Sequence, residues 1–498
     1  MAFVELPSRL PTVVLVALFS LTGLICYFIG WCVYTLYLHP LAKFPGPKVA
    51  AITQLWHAWS WLNGHHPRIL QKAHKKYGNV VRVAPNELSF NTVQAHNDIY
   101  SAPTRNRKPF IKDATFYKNG DSVRVLIFEI DATEHAWQRK LIAPSFSGTT
   151  LRKQEYIIQH YVDLLVEKMG SLSAASRGAG VDAVEAMLWL GFDIMGEMTF
   201  SESFGAVEAS KTHFWVSVIR DSAHAAMLPA LIERMPLLRF VLPYMVSKSA
   251  IQNRKKHYVY TQETIRKRVR LQEEHPETAT TDICGPVIAN GKMDETSLVS
   301  FAQAMVIAGA DTVAHALTGA TYFLCANPAC LKELQDEIRG LGSYEELTGT
   351  RLASLRYLNA VIEETLRAFP PAAFGLPRVS PGEYVDGHFV PAGAVVSAPH
   401  WVITHNESEW QDPYTFRPER WLEGGVSQPR NLAFSTGPRA CLGLGQAWLE
   451  IRVTLAKLVY SYDMAFAREH GDWLGDAKMF TMWREVPLMV NYRPRKTH

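Results

Sequence analysis

The fold of this chain is decided by one stretch near its C-terminus, Phe434-Ser435-Thr436-Gly437-Pro438-Arg439-Ala440-Cys441-Leu442-Gly443. Its glycines and proline predict a loop, and the apolar run that follows predicts helix over most of the segment from Leu442 to Phe466. Unpaired N–H groups at a helix N-terminus favour the thiolate of Cys441, and a soft metal such as iron favours it further. Glycine lets backbone approach a large flat ligand, and Arg439 is placed to reach an anionic group at that ligand's edge. Taken alone, an isolated cysteine is more often a buried structural residue.

The fixed residues of this stretch are Phe434, Gly437, Arg439, Cys441 and Gly443. Their spacing resembles the pattern F-x-x-G-x-R-x-C-x-G of the haem-ligating loop in the cytochrome P-450 superfamily, the haem-thiolate monooxygenases. The resemblance implies haem b (iron protoporphyrin IX) as cofactor and Cys441 as the axial ligand of its iron. It also implies that Arg439 pairs with a haem propionate and that Phe434 and Gly443 belong to the haem-binding loop.

The composition indicates a large folded chain. Of its 498 residues, 48% are hydrophobic and 20% are charged, which is enough apolar material for a substantial core. The net charge of +4 is too small to predict nucleic-acid binding. Six scattered cysteines predict no disulfide framework, and the absence of C-x-x-C-H argues against covalently attached c-type haem. A reducing, cytosol-facing compartment fits this cysteine usage.

The N-terminal segment predicts a membrane anchor. No Asp, Glu, Lys or Arg occurs from Leu10 to Ala42, a run longer than the roughly 20 apolar residues that span a bilayer. Lys43 and Lys48 follow it against a single Arg9 before it, so the positive-inside rule directs the rest of the chain to the cytosol. The stretch Phe44-Pro45-Gly46-Pro47 then breaks the helix and resembles the proline-rich hinge of microsomal family members.

We therefore expect three parts: an anchor over residues 1–42, a hinge over 43–50 and a haem-thiolate catalytic domain over 51–498. The expected location is the endoplasmic reticulum membrane, crossed once.

A pair of basic residues, His135 and Arg139, lies in the stretch His135-Ala136-Trp137-Gln138-Arg139-Lys140. On a helix His135 and Arg139 share a face, because they are four residues apart. The segment resembles the C helix of the family, which implies that His135 and Arg139 hold a haem propionate, with Trp137 off that face. Arg378, after Leu376-Pro377, resembles a further propionate partner.

The segment from Asp294 to Cys325 is apolar on nearly all sides and predicts one long buried helix. Inside it, Ala308-Gly309-Ala310-Asp311-Thr312 combines a weakening glycine, an acid that is costly to bury and a threonine able to bond back to a carbonyl. A kinked core helix with a capped polar pair explains these residues too. The stretch resembles the oxygen-activating I-helix motif A-G-x-[DE]-T-[TS], which implies Asp311 as the acid and Thr312 as the alcohol of a proton relay. Val313 departs from the motif, since it replaces the second hydroxyl residue.

Glu364 and Arg367 stand three residues apart on a predicted helix, a spacing that usually gives a weak surface pair. Phe369-Pro370-Pro371 ends that helix, and Arg420 follows in Pro418-Glu419-Arg420-Trp421. The combination resembles the Glu-Arg-Arg network that locks the cysteine loop beneath the haem. It implies a buried charge triad of Glu364, Arg367 and Arg420.

The predicted architecture is mainly α with a small β region. Residues 80–90 predict a β-hairpin around Pro85-Asn86, and the run from Met479 to Tyr492 predicts a last hairpin whose tip, in the family, touches substrate. The resemblance implies the cytochrome P-450 fold, with a long central I helix over the haem and the cysteine loop below. One N-terminal transmembrane helix precedes it.

The resemblance implies a monooxygenase that inserts one oxygen atom from O2 into a hydrophobic small molecule. The stretch His39-Pro40-Leu41-Ala42-Lys43-Phe44-Pro45-Gly46-Pro47 looks most like fungal members of natural-product pathways. No glycine-rich nucleotide fingerprint is evident, so electrons are expected from NADPH through NADPH-cytochrome P-450 reductase, with cytochrome b5 as a further partner. Lys140, Arg152 and Lys153 are candidates for docking the acidic surface of the reductase.

Two other functions remain open at this point. A haem-thiolate isomerase, dehydratase or ring-forming enzyme would keep Cys441 without completing an oxygen insertion. A membrane-tethered haem sensor would bind haem without turnover and would not need the Asp311–Thr312 pair.

Overall fold

The computed structural model describes residues 10–103, 107–117, 125–221, 227–240, 248–280, 282–422 and 432–495. Helices dominate and the strands are short, which confirms the predicted mainly α class with a small β region. The longer helices are Leu10–Val33, Leu55–Leu62, His66–Tyr77, Val93–Tyr100, Ala132–Ile142, Gly148–Ala175, Ala183–Phe200, Phe214–Asp221, Leu228–Arg234, Lys248–Glu274, Glu295–Ala326, Pro328–Arg339, Arg356–Ala368 and Leu444–Ser461. The shorter α-helices are Lys48–Ile52, Ala114–Tyr117, Ala206–Ala209, Gly285–Asn290, Gly349–Leu352, His400–Thr404 and Trp473–Asp476.

The strands form small sheets at the edge of this helical body. A five-stranded sheet has the order Val80–Ala84, Glu87–Phe90, Val395–Ser397, Arg378–Val379 and Ile111–Lys112. A three-stranded sheet has the order Val181–Asp182, Met489–Pro494 and Tyr462–Phe466. Two hairpins complete the set, Glu383–Val385 with His388–Val390 and Lys478–Met479 with Trp483–Arg484.

Three predictions about local structure can be compared with these elements. The hairpin over residues 80–90 is confirmed, with Val80 paired to Phe90 in antiparallel register. The helix after the cysteine loop ends at Ser461 instead of Phe466, because the chain from Tyr462 onward pairs with Met489–Pro494. The last hairpin is shorter than the predicted run from Met479 to Tyr492. Its two strands are Lys478–Met479 and Trp483–Arg484.

The central helix, Glu295–Ala326, runs through the main hydrophobic cluster as predicted. Asp294 caps it, because its carboxylate accepts the Ser297 N–H at 2.8 Å. The helix packs most extensively on Ala183–Phe200, where Gly191 allows a close approach. A Cβ at Gly191 would lie 2.7 Å from the Ala310 carbonyl oxygen, so the two backbones nearly touch beside the Asp311–Thr312 turn.

Among the described residues, two helices are long and apolar enough to cross a membrane. One is Val14–Leu38, which is exposed along most of its length, and the other is the central helix Glu295–Ala326, which is a buried core element. The N-terminal span consists of the α-helix Leu10–Val33 and a π-helical turn, Tyr34–Leu38. It is the candidate membrane anchor.

The end of this span is bonded to the first strand. The buried guanidinium of Arg82 donates to the Thr35 carbonyl at 2.6 Å, and its backbone N–H donates to the Pro45 carbonyl at 2.8 Å. The Trp31 indole N–H also donates to the Ile52 carbonyl at 2.9 Å. The helix break at Phe44–Pro47 therefore lies against the sheet.

Candidate active site

The cysteine loop is fixed by its own backbone. The Cys441 N–H donates to the Phe434 carbonyl at 2.9 Å, which closes the loop. Ser435 and Gly437 both adopt positive φ, +56° and +74°. A Cβ at Gly437 would also overlap the Tyr100 carbonyl, so glycine is required there on two counts. The helix that follows starts at Leu444, just after Cys441.

Cys441 lies on a surface that solvent reaches. Burial raises the pKa of the Cys441 thiol, against the Gly443 N–H and the Arg139 charge, which both lower it. Arg139 belongs to the helix Ala132–Ile142, and its Nη1 donates to the Ala440 carbonyl at 2.8 Å. Without a metal the thiol form is therefore favoured, and a bound metal ion would reverse this preference.

Basic side chains from four separate segments converge beside this loop. The structure brings together all four predicted propionate partners and adds a fifth basic residue, giving a basic cluster of Lys112, His135, Arg139, Arg378 and Arg439. Burial lowers the pKa of His135 to about 3, with further lowering by the four other members, so its imidazole is neutral. Burial, Arg439 and Arg378 lower the pKa of Lys112 to about 6, against a smaller opposing effect of Glu129.

Main-chain acceptors hold the guanidinium groups of this basic cluster. Arg439 Nη2 donates to the Ile130 carbonyl at 2.9 Å, and Arg378 Nη1 donates to the Pro377 carbonyl at 3.1 Å. Lys112 stands opposite Arg378 in the antiparallel register, and the charge of Arg378 is one of the causes that lower the pKa of Lys112. Sequence reasoning missed Lys112, because it lies in no motif and only strand pairing reveals its place.

In the Asp311–Thr312 turn of the central helix, the two side chains differ in their hydrogen bonding. The Thr312 hydroxyl donates to the Ala308 carbonyl at 2.7 Å. Asp311 is 1% exposed, and within the described residues neither of its carboxylate oxygens accepts a hydrogen bond. Burial acts to raise the pKa of Asp311, but the charges of His315, Arg484 and Arg220 hold it below its usual value.

A contact through Met195 connects this turn with the helix after Cys441. Gln446 Nε2 lies 3.0 Å from the Met195 sulfur. That sulfur packs so closely on Gly309 that a Cβ there would overlap it. Gln446 also donates to Glu450 Oε1 at 2.7 Å, and burial raises the pKa of Glu450 to about 8. The two motifs are thus parts of one packed unit.

Glu364, Arg367 and Arg420 form a buried ionic triad, as their sequence pattern predicts. Arg367 makes two bonds of 2.8 Å to the Glu364 carboxylate, and Arg420 Nε makes one of 3.0 Å. The Trp421 indole N–H and the Arg417 backbone N–H, both at 2.9 Å, satisfy the remaining lone pairs. Arg367 further donates to the Thr404 and Pro413 carbonyls, so the triad ties together distant loops. Its role in holding the cysteine loop stays a prediction.

Comparison with known proteins assigns the chain to a family. The family model described as cytochrome P-450 matches residues 45–492. Cytochrome P-450 monooxygenase BOA3 of Botryotinia fuckeliana (strain B05.10) is 36% identical over 506 residues, which cover 98% of this chain and 99% of that protein. Monooxygenase poxC of Penicillium oxalicum is 36% identical over 481 residues, covering 94% and 92% of the two chains. Monooxygenase btcC of Colletotrichum orbiculare is 33% identical over 490 residues, with the same coverage of 94% and 92%.

The chain therefore belongs to the cytochrome P-450 family and has its fold, as the cysteine loop predicts. Within that family it is a monooxygenase, to judge from full-length relatives that carry this name.

Family membership implies haem, and the residues around Cys441 fit this group. A haem carries two carboxylates at one edge, and the basic cluster places the guanidinium groups of Arg139, Arg378 and Arg439 near one another. Its iron is suited to a thiolate ligand, and Cys441 is a solvent-accessible thiol beside these cations. Both the charge and the donor atom therefore agree with haem.

The ionic triad predicts a large stability effect of one substitution. Glu364→Ala leaves two buried guanidinium groups without their carboxylate, so we expect the free energy of unfolding to fall by about 3–5 kcal/mol. Chemical denaturation of the holoprotein measures this change. Lys332→Ala, which removes an exposed pair with Asp336, is the control and should cost at most about 1 kcal/mol. Equal losses of unfolding free energy in the two variants would contradict a large contribution of the triad to stability.

Proposed function

We propose that this monooxygenase inserts one oxygen atom from O2 into a hydrophobic small molecule of fungal secondary metabolism, by hydroxylation, epoxidation or successive oxidations. The second oxygen atom leaves as water, and two electrons come from NADPH through a reductase. The observation that carries the proposal is the packing of the Cys441 helix, through Met195, against the turn that bears Asp311 and Thr312. The fungal origin of the full-length relatives supports the substrate class.

In this proposal haem b supplies, when bound, the redox-active iron that activates O2. Cys441 would supply the thiolate ligand of the haem iron, and Phe434 and Gly443 would shape the loop around it. Arg439, Arg139 and Arg378 would hold the propionates as cations. His135 is neutral by virtue of its low pKa and therefore acts as a hydrogen-bond donor without adding charge.

Asp311 and Thr312 are proposed to move protons to the reacting oxygen. The Thr312 hydroxyl donates its hydrogen bond to the Ala308 carbonyl, which leaves its lone pairs to accept a hydrogen bond from a water molecule. Asp311 is held as a carboxylate by neighbouring cations, so it is able to accept and return a proton. Glu364, Arg367 and Arg420 keep the cysteine loop in place.

The proposed setting is the endoplasmic reticulum membrane, with the catalytic domain in the cytosol. Residues 1–42 would form the anchor, 43–50 the hinge and 51–498 the catalytic domain. The unburied apolar span Val14–Leu38 supports a single membrane crossing. A cytosolic orientation gives the enzyme access to NADPH-cytochrome P-450 reductase and to cytochrome b5.

Cys441→Ser tests the ligation. The reduced wild-type protein treated with carbon monoxide should show the long-wavelength Soret band of a thiolate–iron bond, and the variant should lose it because serine cannot supply a soft sulfur ligand. Cys330→Ser, at a cysteine remote from the motifs in sequence, should keep the band. A band that survives in Cys441→Ser would refute the assignment.

Thr312→Ala tests the proton relay. We expect product per NADPH consumed to fall about tenfold or more, with the difference released as hydrogen peroxide, because general acid assistance typically contributes that much. Thr321→Ala is the matched control, since Thr321 makes the same back-bond on the same helix, to the Leu317 carbonyl at 2.8 Å.

The same assay separates the other functions. An isomerase or dehydratase would form product without consuming NADPH in step with it. A sensor would show no substrate-dependent NADPH consumption, with or without Thr312.

Lys140, Arg152 and Lys153 are exposed, as docking of a reductase requires. Reversing all three to Glu should lower reductase-driven turnover about tenfold at low salt, because long-range attraction governs encounter. Peroxide-driven turnover bypasses the reductase and should not change.

The control for this charge reversal changes Lys255, Lys256 and Arg270, which are exposed on the helix Lys248–Glu274, to Glu. It carries the same change in net charge and should leave both rates unchanged. A loss of both rates in the first variant, or equal losses in the two variants, would refute the docking role.

A further inference from the structure

The central helix carries a buried histidine one turn after the relay acid. His315 is 2% exposed and lies between two carboxylates. Its Nδ1 forms an ion pair with Glu485 Oε1, and its Nε2 lies 3.6 Å from Asp311 Oδ1. A charge at this depth is stable only when it is paired, so the three groups form one electrostatic unit.

The imidazole of this unit is positively charged at neutral pH. Burial alone would lower the pKa of His315, but Glu485 and then Asp311 outweigh it and raise the pKa to about 9. Arg484 and Arg220 add further positive potential at Asp311. The groups that determine the ionisation of Asp311 therefore come from three elements. These are its own helix, the C-terminal hairpin formed by Lys478–Met479 and Trp483–Arg484, and the helix Phe214–Asp221.

The two ring nitrogens of His315 make different contacts. Nδ1 forms a direct hydrogen bond with Glu485, whereas the 3.6 Å between Nε2 and Asp311 Oδ1 is too long for a hydrogen bond. Asp311 is thus kept charged by a nearby cation without being clamped by it. A carboxylate in this condition is free to turn toward a different hydrogen-bond partner.

Glu485 is itself held from several directions. It directly follows the strand Trp483–Arg484, whose Trp483 indole N–H donates to the Pro370 carbonyl at 2.9 Å. Arg484 donates to the Arg220 carbonyl at 3.0 Å and to the Ile219 carbonyl at 3.3 Å. These contacts fix the hairpin and the helix Phe214–Asp221 together, so Glu485 provides a rigid anchor for the imidazole.

We propose that His315 is a positioning residue for the relay acid: a fixed cation, held by Glu485, that keeps Asp311 ionised and able to turn. The proposal rests on the proposed role of Asp311 in proton delivery. It extends the relay beyond the motif residues to a histidine and to the C-terminal hairpin.

His315→Gln removes the charge and keeps a polar side chain of similar size. We expect product per NADPH to fall about tenfold at about pH 6.5 and to recover to within about twofold of wild type at about pH 8.5. The physical reason is that Asp311, buried without its cation, acquires a raised pKa and becomes a carboxylate only at higher pH. His315→Lys restores a cation and should recover most of the loss at about pH 6.5.

A second measurement does not depend on turnover. Because the pKa of His315 is raised from 6.5 to about 9 on folding, its ion pairs stabilise the protein fully below pH 6.5. This stabilisation is lost as the pH rises through about 9. The unfolding midpoint of the wild-type holoprotein should therefore exceed that of His315→Gln most at about pH 6 and converge with it by about pH 10.

His257→Gln is the matched control for stability. His257 is also buried beside the central helix, where Gln303 Nε2 lies 3.0 Å from its Nδ1, but burial and Arg254 lower its pKa to about 4. It is therefore neutral over this range, and its difference from wild type should not change with pH. Glu485→Gln should reproduce the pH-dependent loss seen in His315→Gln.

Four outcomes test the proposed role of His315. The expected pH profile in His315→Gln, rescued by His315→Lys, supports the proposal. A pH-dependent stability change with wild-type coupling at every pH would make His315 a structural residue and overturn it. A stability difference independent of pH would show that His315 carries no charge and also overturn it. Wild-type coupling in Thr312→Ala would instead overturn the proton relay, and with it the proposed function.

Discussion

Repulsion between closely spaced basic groups is the constraint on which the site depends. Strand Ile111–Lys112, helix Ala132–Ile142, strand Arg378–Val379 and the loop of Arg439 bring basic side chains to one place. Main-chain carbonyls offset part of the lost hydration but leave the repulsion in place. A ligand with two carboxylates would balance the charge of the arginines. Cofactor binding and folding are therefore coupled, as for any ligand that binds only the native state.

Two buried carboxylates in this protein illustrate different uses of the same group. Glu364 accepts bonds from three side chains and a backbone N–H, so its position is fixed and its charge is fully compensated. Asp311 has cations nearby, but among the described residues no donor lies within hydrogen-bond distance of its carboxylate oxygens. The first arrangement suits a structural support and the second suits a group that must exchange protons. The difference lies in hydrogen bonding and not in burial, since both are inaccessible.

Sequence reasoning reached the central helix and the cysteine loop, because each is encoded by residues close together in the chain. It reached the ionic triad through the family resemblance, since Arg420 lies 56 residues after Glu364. It missed Lys112, whose role depends on its place opposite Arg378 in a sheet. It also missed His315, since its partner Glu485 lies 170 residues away. The end of the helix at Ser461 depends on pairing with Met489–Pro494, another long-range contact. Local patterns thus predict motifs, whereas long-range pairing decides which further side chains join them.

The bond between Arg82 and the end of the N-terminal span has a mechanical consequence. A helix in a bilayer changes its tilt as the hydrocarbon thickness changes. Arg82 and the neighbouring contacts join this helix to the first sheet. The catalytic domain would therefore rotate when the helix changes its tilt. For a span embedded in a bilayer, lipid composition would in this way set the angle at which the rest of the chain faces the membrane.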